Sequence, residues 1–211
     1  MTQPFLKAIS GLYVITDSQL MNNQNINTKV EQALKGGAQI VQFRDKVNRQ
    51  HTKIKLANQL KLLCQNYQAW FIINDDIQLA KQVKADGVHI GKNDDDIIFA
   101  RQELGENAII GVSCYNSLER AKTMQALGAN YVAFGRFFSS KTKPNAPQAD
   151  LATLVTAKSQ LQIPIIAIGG ITLENAKQPI KAGADSVAVI QDVFARKDIQ
   201  TQCQAYQHLF S

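Results

Sequence analysis

Acidic, cationic and glycine-rich clusters recur along this chain at the ends of short apolar runs, and their chemistries are complementary. Asn74-Asp75-Asp76 follows one run, and Lys92-Asn93-Asp94 follows the next. If those runs are adjacent strands, their loops bring the Asp75 and Asp94 carboxylates together. Oxygen donors without a neighbouring histidine suit Mg²⁺, which takes one or two carboxylates plus substrate phosphate. Asp95 and Asp96 read instead as the cap and first turn of a helix. In a second cluster, Gln42, Arg44 and Lys46 alternate with Val41, Phe43 and Asp45, so a strand turns all three to one side. Cations held inside a fold need an anion, either a ligand phosphate or the carboxylate of Asp75 or Asp45. Ser140, Thr142 and Lys143 form a third cluster, two hydroxyls and an ammonium of the kind that cradles phosphate. Gly169-Gly170 allows backbone N–H groups to approach an anion. Two anion sites are therefore expected. The metal and cations suit a diphosphate leaving group, and amides with hydroxyls suit a monophosphate handle. No covalent nucleophile stands out: Cys114 has no histidine near it in sequence, and His89, inside a strand, reads as structural.

Such clusters need elements to hold them. Eight apolar runs, at residues 12–16, 39–43, 70–73, 88–90, 109–112, 131–134, 163–168 and 187–190, have the length of strands. Between them, residues 50–66 put Ile54, Ala57, Leu60, Leu63 and Cys64 on one helical face. Residues 117–127 do the same with Leu118, Ala121, Met124, Ala126 and Leu127, and 192–210 carries Val193, Phe194, Ile199, Tyr206 and Leu209. A weak repeat marks the even-numbered strands: Gly37-Ala38-Gln39, Lys84-Ala85-Asp86, Gly128-Ala129-Asn130 and Gly183-Ala184-Asp185. Alanine to alanine, the steps are 47, 44 and 55 residues, each about one βαβα unit. A glycine there ends a helix in a left-handed conformation. The expectation is a single (β/α)8 TIM barrel spanning residues 1–211 as one catalytic domain. A doubly wound sheet would normally carry a glycine-rich fingerprint after its first strand, where this chain has Thr16-Asp17-Ser18. In a parallel barrel all the carboxyl strand ends share the catalytic face, so the clusters meet.

Composition narrows the classes further. The net charge of +6 comes from dispersed cations without a basic run, which argues against nucleic acid and fits phosphorylated small-molecule substrates. No apolar run approaches the ~20 residues of a membrane span, and no secretory leader is evident. Three widely spaced cysteines fit a reducing compartment, so the cytoplasm is expected. The sequence sets no oligomeric state and is compatible with an assembly of several copies.

The order and spacing of these motifs, taken together, resemble the thiamine phosphate synthase family nearly from end to end. The segments that carry the resemblance are Leu12 to Asp17, Val41 to Lys46, Phe71 to Asp76, Ala85 to Gly91, Ile110 to Ser113, Gly135 to Lys143, Ala167 to Ile171 and Ala182 to Asp185. The resemblance implies a barrel enzyme, a transferase of thiamine biosynthesis. It would join 4-amino-2-methyl-5-(diphosphooxymethyl)pyrimidine to 4-methyl-5-(2-phosphooxyethyl)thiazole, giving thiamine phosphate and diphosphate. By position it implies that Gln42, Arg44, Lys46, Asn74, Ser113 and Lys143 hold the pyrimidine diphosphate. Asp75 and Asp94 would ligate Mg²⁺, and Ser140, Thr142, Gly170, Ile190 and Gln191 would surround the thiazole phosphate. Arg44, Lys46 and Lys143 would be the catalytic cations. Three places depart from the family pattern: Lys92 for a glutamine, Gln191-Asp192 for a serine and a small residue, and Arg136 to Ser140 for a proline- and threonine-bearing loop. The alternatives are a thiazole tautomerase-like enzyme and a non-catalytic paralogue that binds phosphorylated ligands. The tautomerases carry a histidine at the position of Arg136 and lack the Asn-Asp-Asp motif.

Overall fold

In the computed structural model, which describes residues 9–91, 95–139 and 148–210, the eight apolar runs become eight parallel strands. They are β1 (Gly11–Ile15), β2 (Ile40–Phe43), β3 (Trp70–Asn74), β4 (Gly87–Ile90), β5 (Ile109–Tyr115), β6 (Tyr131–Phe134), β7 (Ile165–Ile168) and β8 (Ser186–Val189). They pair in sequence order and close into a barrel, with Leu12 of β1 opposite Val187 of β8. Helices α1 (Ile26–Lys35), α2 (Gln50–Asn66), α3 (Ile77–Val83), α4 (Asp95–Leu104), α5 (Leu118–Ala126), α6 (Leu151–Gln160) and α7 (Lys177–Lys181) connect successive strands. After β8 come α8 (Gln191–Phe194) and α9 (Ile199–Gln207).

Strand alternation divides the core in two. Leu12, Val14, Val41, Phe71, Val88, Ile110 and Val187 point outward beneath the helices, which bury residues such as Leu56, Ala57, Leu60 and Cys64 of α2. Tyr13, Ile15, Ile40, Ile72, Ile109, Tyr131 and Ile166 point inward and fill the barrel. Cys64, Cys114 and Cys203 are all buried, and Cys114 belongs to the outer layer, away from the barrel interior.

The repeat has a common hydrogen-bond pattern. Gly37, Lys84, Gly128 and Gly183 all have positive φ, so even the lysine adopts the left-handed turn. At each, the following alanine N–H reaches a helical carbonyl five residues back, at 2.9–3.0 Å, from Ala38, Ala85, Ala129 and Ala184. At three of the four, the next side chain then clips the start of the preceding strand. Asp86 accepts from the Phe71 N–H at 2.7 Å, Asn130 from Ile110 at 2.8 Å and Asp185 from Ile165 at 2.9 Å.

Boundaries differ from expectation where local chemistry intervenes. β7 starts at Ile165, because Pro164 has no N–H to donate; its carbonyl accepts from Val132. β5 continues to Tyr115, so Ser113 and Cys114 lie within a strand. Residues 192–210 split into two helices, the second capped by Asp198, whose carboxylate accepts from the Thr201 N–H at 3.0 Å. Nine helices rather than eight are thus present among the described residues.

Candidate active site

The ends of the strands open into a cavity of about 940 Å³. Every described residue that the sequence marked for ligand or metal lines it: Gln42 on β2 with Arg44 and Lys46 beyond it, Asn74 and Asp75 at β3, Ser113 on β5, Gly170 after β7, and Ile190 and Gln191 after β8. Asp94, Ser140, Thr142 and Lys143 lie outside the described residues.

Thr16, at the end of β1, fixes the cationic edge. Its N–H donates to the Gln42 carbonyl at 3.0 Å, and its hydroxyl accepts from the Arg44 N–H at 2.9 Å, carrying the extended backbone past Phe43. Asp45 is occupied within its own loop, accepting from the N–H groups of Val47 and Asn48 and from the Asn48 amide. Lys46 instead donates to Asp75 Oδ2 at 2.8 Å, so of the two carboxylates open to it in sequence, Asp75 is its partner.

Asp75 sits at φ 61°, a left-handed conformation sustained by its N–H bond to the His89 carbonyl at 2.9 Å. Burial would raise its carboxyl, but the Lys46 ammonium and the Asn74 amide, 2.7 Å away, outweigh that and hold it below the usual range. The neighbouring Asp76 caps α3 through the Leu79 N–H at 2.8 Å. Asp75 Oδ1 lies 3.6 Å from where a Cβ would stand on Gly91, so no side chain of that residue crowds the oxygen. A charged oxygen donor facing an uncrowded backbone fits a hard divalent cation such as Mg²⁺.

Opposite, Gly170 turns at φ 65° so close beneath the strand-six loop that an added Cβ would stand 2.3 Å from the Ser139 carbonyl oxygen. Gln191 begins α8 with an exposed side chain, so its bulk does not fill the cavity floor. Asp192 is buried and accepts from the Leu173 N–H at 2.9 Å, the Gln202 amide at 2.7 Å and the Tyr206 hydroxyl at 2.8 Å, and it also pairs with Arg196. It thereby ties the segment after β7 to the start of α8, the two sides of the expected phosphate site.

Sequence reasoning missed the floor. Gln42 Nε2 donates to the Tyr13 hydroxyl at 2.8 Å, and Tyr13 meets the Tyr131 hydroxyl at 2.9 Å. Tyr131 meets His89 Nδ1 at 3.0 Å, and His89 Nε2 meets Ser113 Oγ at 2.9 Å. Arg120, from α5, donates to the carbonyls of Ser113 at 3.0 Å and Gly91 at 3.1 Å, bracing the ends of β5 and β4. A polar residue inside an apolar strand was the available signal for His89.

The thiamine monophosphate synthase model matches residues 12–193, spanning every one of these elements up to the start of α8. The chain belongs to that family. It is 49% identical over 203 residues to the thiamine-phosphate synthase of Nitrosococcus oceani, covering 96% of this chain and 94% of that one. Against the thiamine-phosphate synthase of Methylobacillus flagellatus it is 46% identical over 211 residues, with both chains covered in full. The thiamine phosphate pyrophosphorylase of Pyrococcus furiosus superposes with a TM-score of 0.86 at 34% identity, with 95% of each chain covered. The family's barrel and the sequence expectation of a (β/α)8 fold therefore agree.

Proposed function

We propose that this chain makes thiamine phosphate by alkyl transfer. The bond between the pyrimidine methylene and its diphosphate oxygen breaks, diphosphate departs with the electron pair, and the thiazole nitrogen forms the new C–N bond. The observation that carries the reading is the meeting, in one cavity of a chain of this family, of the Lys46–Asp75 pair, Arg44, Asn74 and Ser113 with the Gly170 turn. Gln42, Asn74 and Ser113 hold the pyrimidine portion and its diphosphate. Arg44, Lys46 and Lys143 stabilise the charge gathering on the leaving group, because charge-assisted contacts strengthen as that charge develops. Asp75 and Asp94 would hold Mg²⁺, which when bound neutralises diphosphate charge. Gly170, Ile190 and Gln191, with Ser140 and Thr142, receive the thiazole phosphate. Burial pushes the Tyr13 and Tyr131 hydroxyls well above their ordinary range, so both remain neutral donors. A nitrogen nucleophile with a lone pair needs no base. The reaction belongs in the cytoplasm, consistent with buried free thiols and with no helix, among the described residues, long and apolar enough to cross a membrane.

The test is to incubate the pure protein with both phosphorylated substrates and Mg²⁺. Thiamine phosphate and diphosphate should appear in equal amounts. Binding of both substrates without product would make the chain a ligand-binding paralogue and overturn the proposal.

A further inference from the structure

The hydrogen bonds across the barrel floor form one unbroken chain from Gln42 through Tyr13, Tyr131 and His89 to Ser113, contributed by β2, β1, β6, β4 and β5. Its geometry is built into the strands. His89 and Tyr131 both pair in register with Gly111, and their rings stack at 5.6 Å. A Cβ on Gly111 would stand 1.9 Å from the Tyr131 ring, so the position is glycine to admit it.

Each middle member has a single proton to give. Gln42 donates to Tyr13. Tyr13 is 1% exposed, so its own proton must go to Tyr131 or be left buried without an acceptor, which a buried donor avoids. Tyr131, equally buried, must then donate to His89 Nδ1. His89 therefore carries its proton on Nε2 and donates to Ser113 Oγ, which leaves the Ser113 proton to point at a ligand. Turning the Ser113 proton towards His89 instead would require every proton in the chain to reverse and the Gln42 amide to turn over.

We propose that Tyr13, Tyr131 and His89 are positioning residues that fix Ser113 as a hydrogen-bond donor and so select a pyrimidine presenting a ring-nitrogen acceptor beside its amine-bearing carbon. The 4-oxo counterpart carries a hydrogen on that nitrogen and is disfavoured. This rests on the assignment of Ser113 to the pyrimidine in the reading above. A site that hydrogen-bonds its substrate rejects the mismatched analogue strongly, here by about a hundredfold or more in kcat/KM.

Two measurements test it. Nitrogen-15 shifts of the three histidines should place the His89 proton on Nε2 in the wild-type protein; a proton on Nδ1 would overturn the proposal. The second compares kcat/KM for the 4-amino and 4-oxo pyrimidine diphosphates. Tyr131→Phe interrupts the chain with little change of shape, and the amino-to-oxo ratio should fall by about tenfold or more. Because a ratio is independent of the fraction of protein folded, general damage leaves it unchanged. Tyr13→Phe provides the same readout if Tyr131→Phe fails to accumulate. An unchanged ratio overturns the proposal while leaving synthase activity intact; a wild-type protein inactive on the amino substrate instead overturns the underlying reading.

Discussion

At the mouth of the barrel, Lys46 and Asp75 hold each other at 2.8 Å with side chains 54% and 50% exposed. An ion pair that open to water contributes about 0–1 kcal/mol to stability, so its conservation of fold cannot be its main use. Lys46→Ala should therefore shift Tm by no more than about 4 °C. It should weaken pyrimidine diphosphate binding by about tenfold or more, since a charge-assisted contact is lost. Calorimetric titration and thermal melting check both. A large loss of Tm with unchanged affinity would make the pair purely structural. At this scale the sequence was readable where alternation placed Gln42, Arg44 and Lys46 together. It was silent on Tyr13 and Tyr131 and read His89 only as structural, because a barrel strand is apolar on both faces and sequence alone does not say which face looks into the cavity.

Elements are held in register by short polar clips, and these can be tested against one another. Asp86 and Asn130 occupy equivalent places and each accepts from a strand N–H, at 2.7 and 2.8 Å. Burial raises the Asp86 carboxyl despite the Phe71 N–H bond and the charge of Lys61. A raised carboxyl costs the native state stability as pH climbs from the unfolded value through the folded one. Asp86→Asn keeps the acceptor and removes the charge, so it should leave Tm unchanged or raise it by a few degrees at neutral pH. The gain should vanish below about pH 3, where Asp86 is protonated in both states. Asp192 predicts the opposite. Asp192→Ala leaves the Tyr206 hydroxyl and the Leu173 N–H without their acceptor, which should cost about 2–4 kcal/mol in chemical denaturation. It should also raise KM for the thiazole phosphate more than KM for the pyrimidine. The glycine-alanine repeat made the strand spacing legible. The break between α8 and α9 was not, because apolar spacing over residues 192–210 suits one helix as well as two and the Asp198 cap has no strong sequence contrast.

For the whole molecule, closing eight strands in order is what brings β2, β3, β5, β7 and β8 to one mouth, although the residues that line it are spread along the sequence from Gln42 to Gln191 and beyond. That convergence was legible because each cluster followed an apolar run, and parallel strands put all such ends on one face. Gln191, at the start of α8, is exposed at that mouth. The β2–β3 wall is proposed above as a metal-assisted diphosphate site. It is tested most directly by titrating pyrimidine diphosphate into wild-type protein and Asp75→Asn, each with and without Mg²⁺, in the calorimeter. Removing one of the two proposed carboxylate ligands should leave the fold melting as before while deleting charge that the metal would need. In the wild type, Mg²⁺ should tighten binding by about tenfold or more, and in Asp75→Asn that enhancement should disappear. An equal Mg²⁺ enhancement in both proteins would contradict the assignment of Asp75 and move the metal elsewhere.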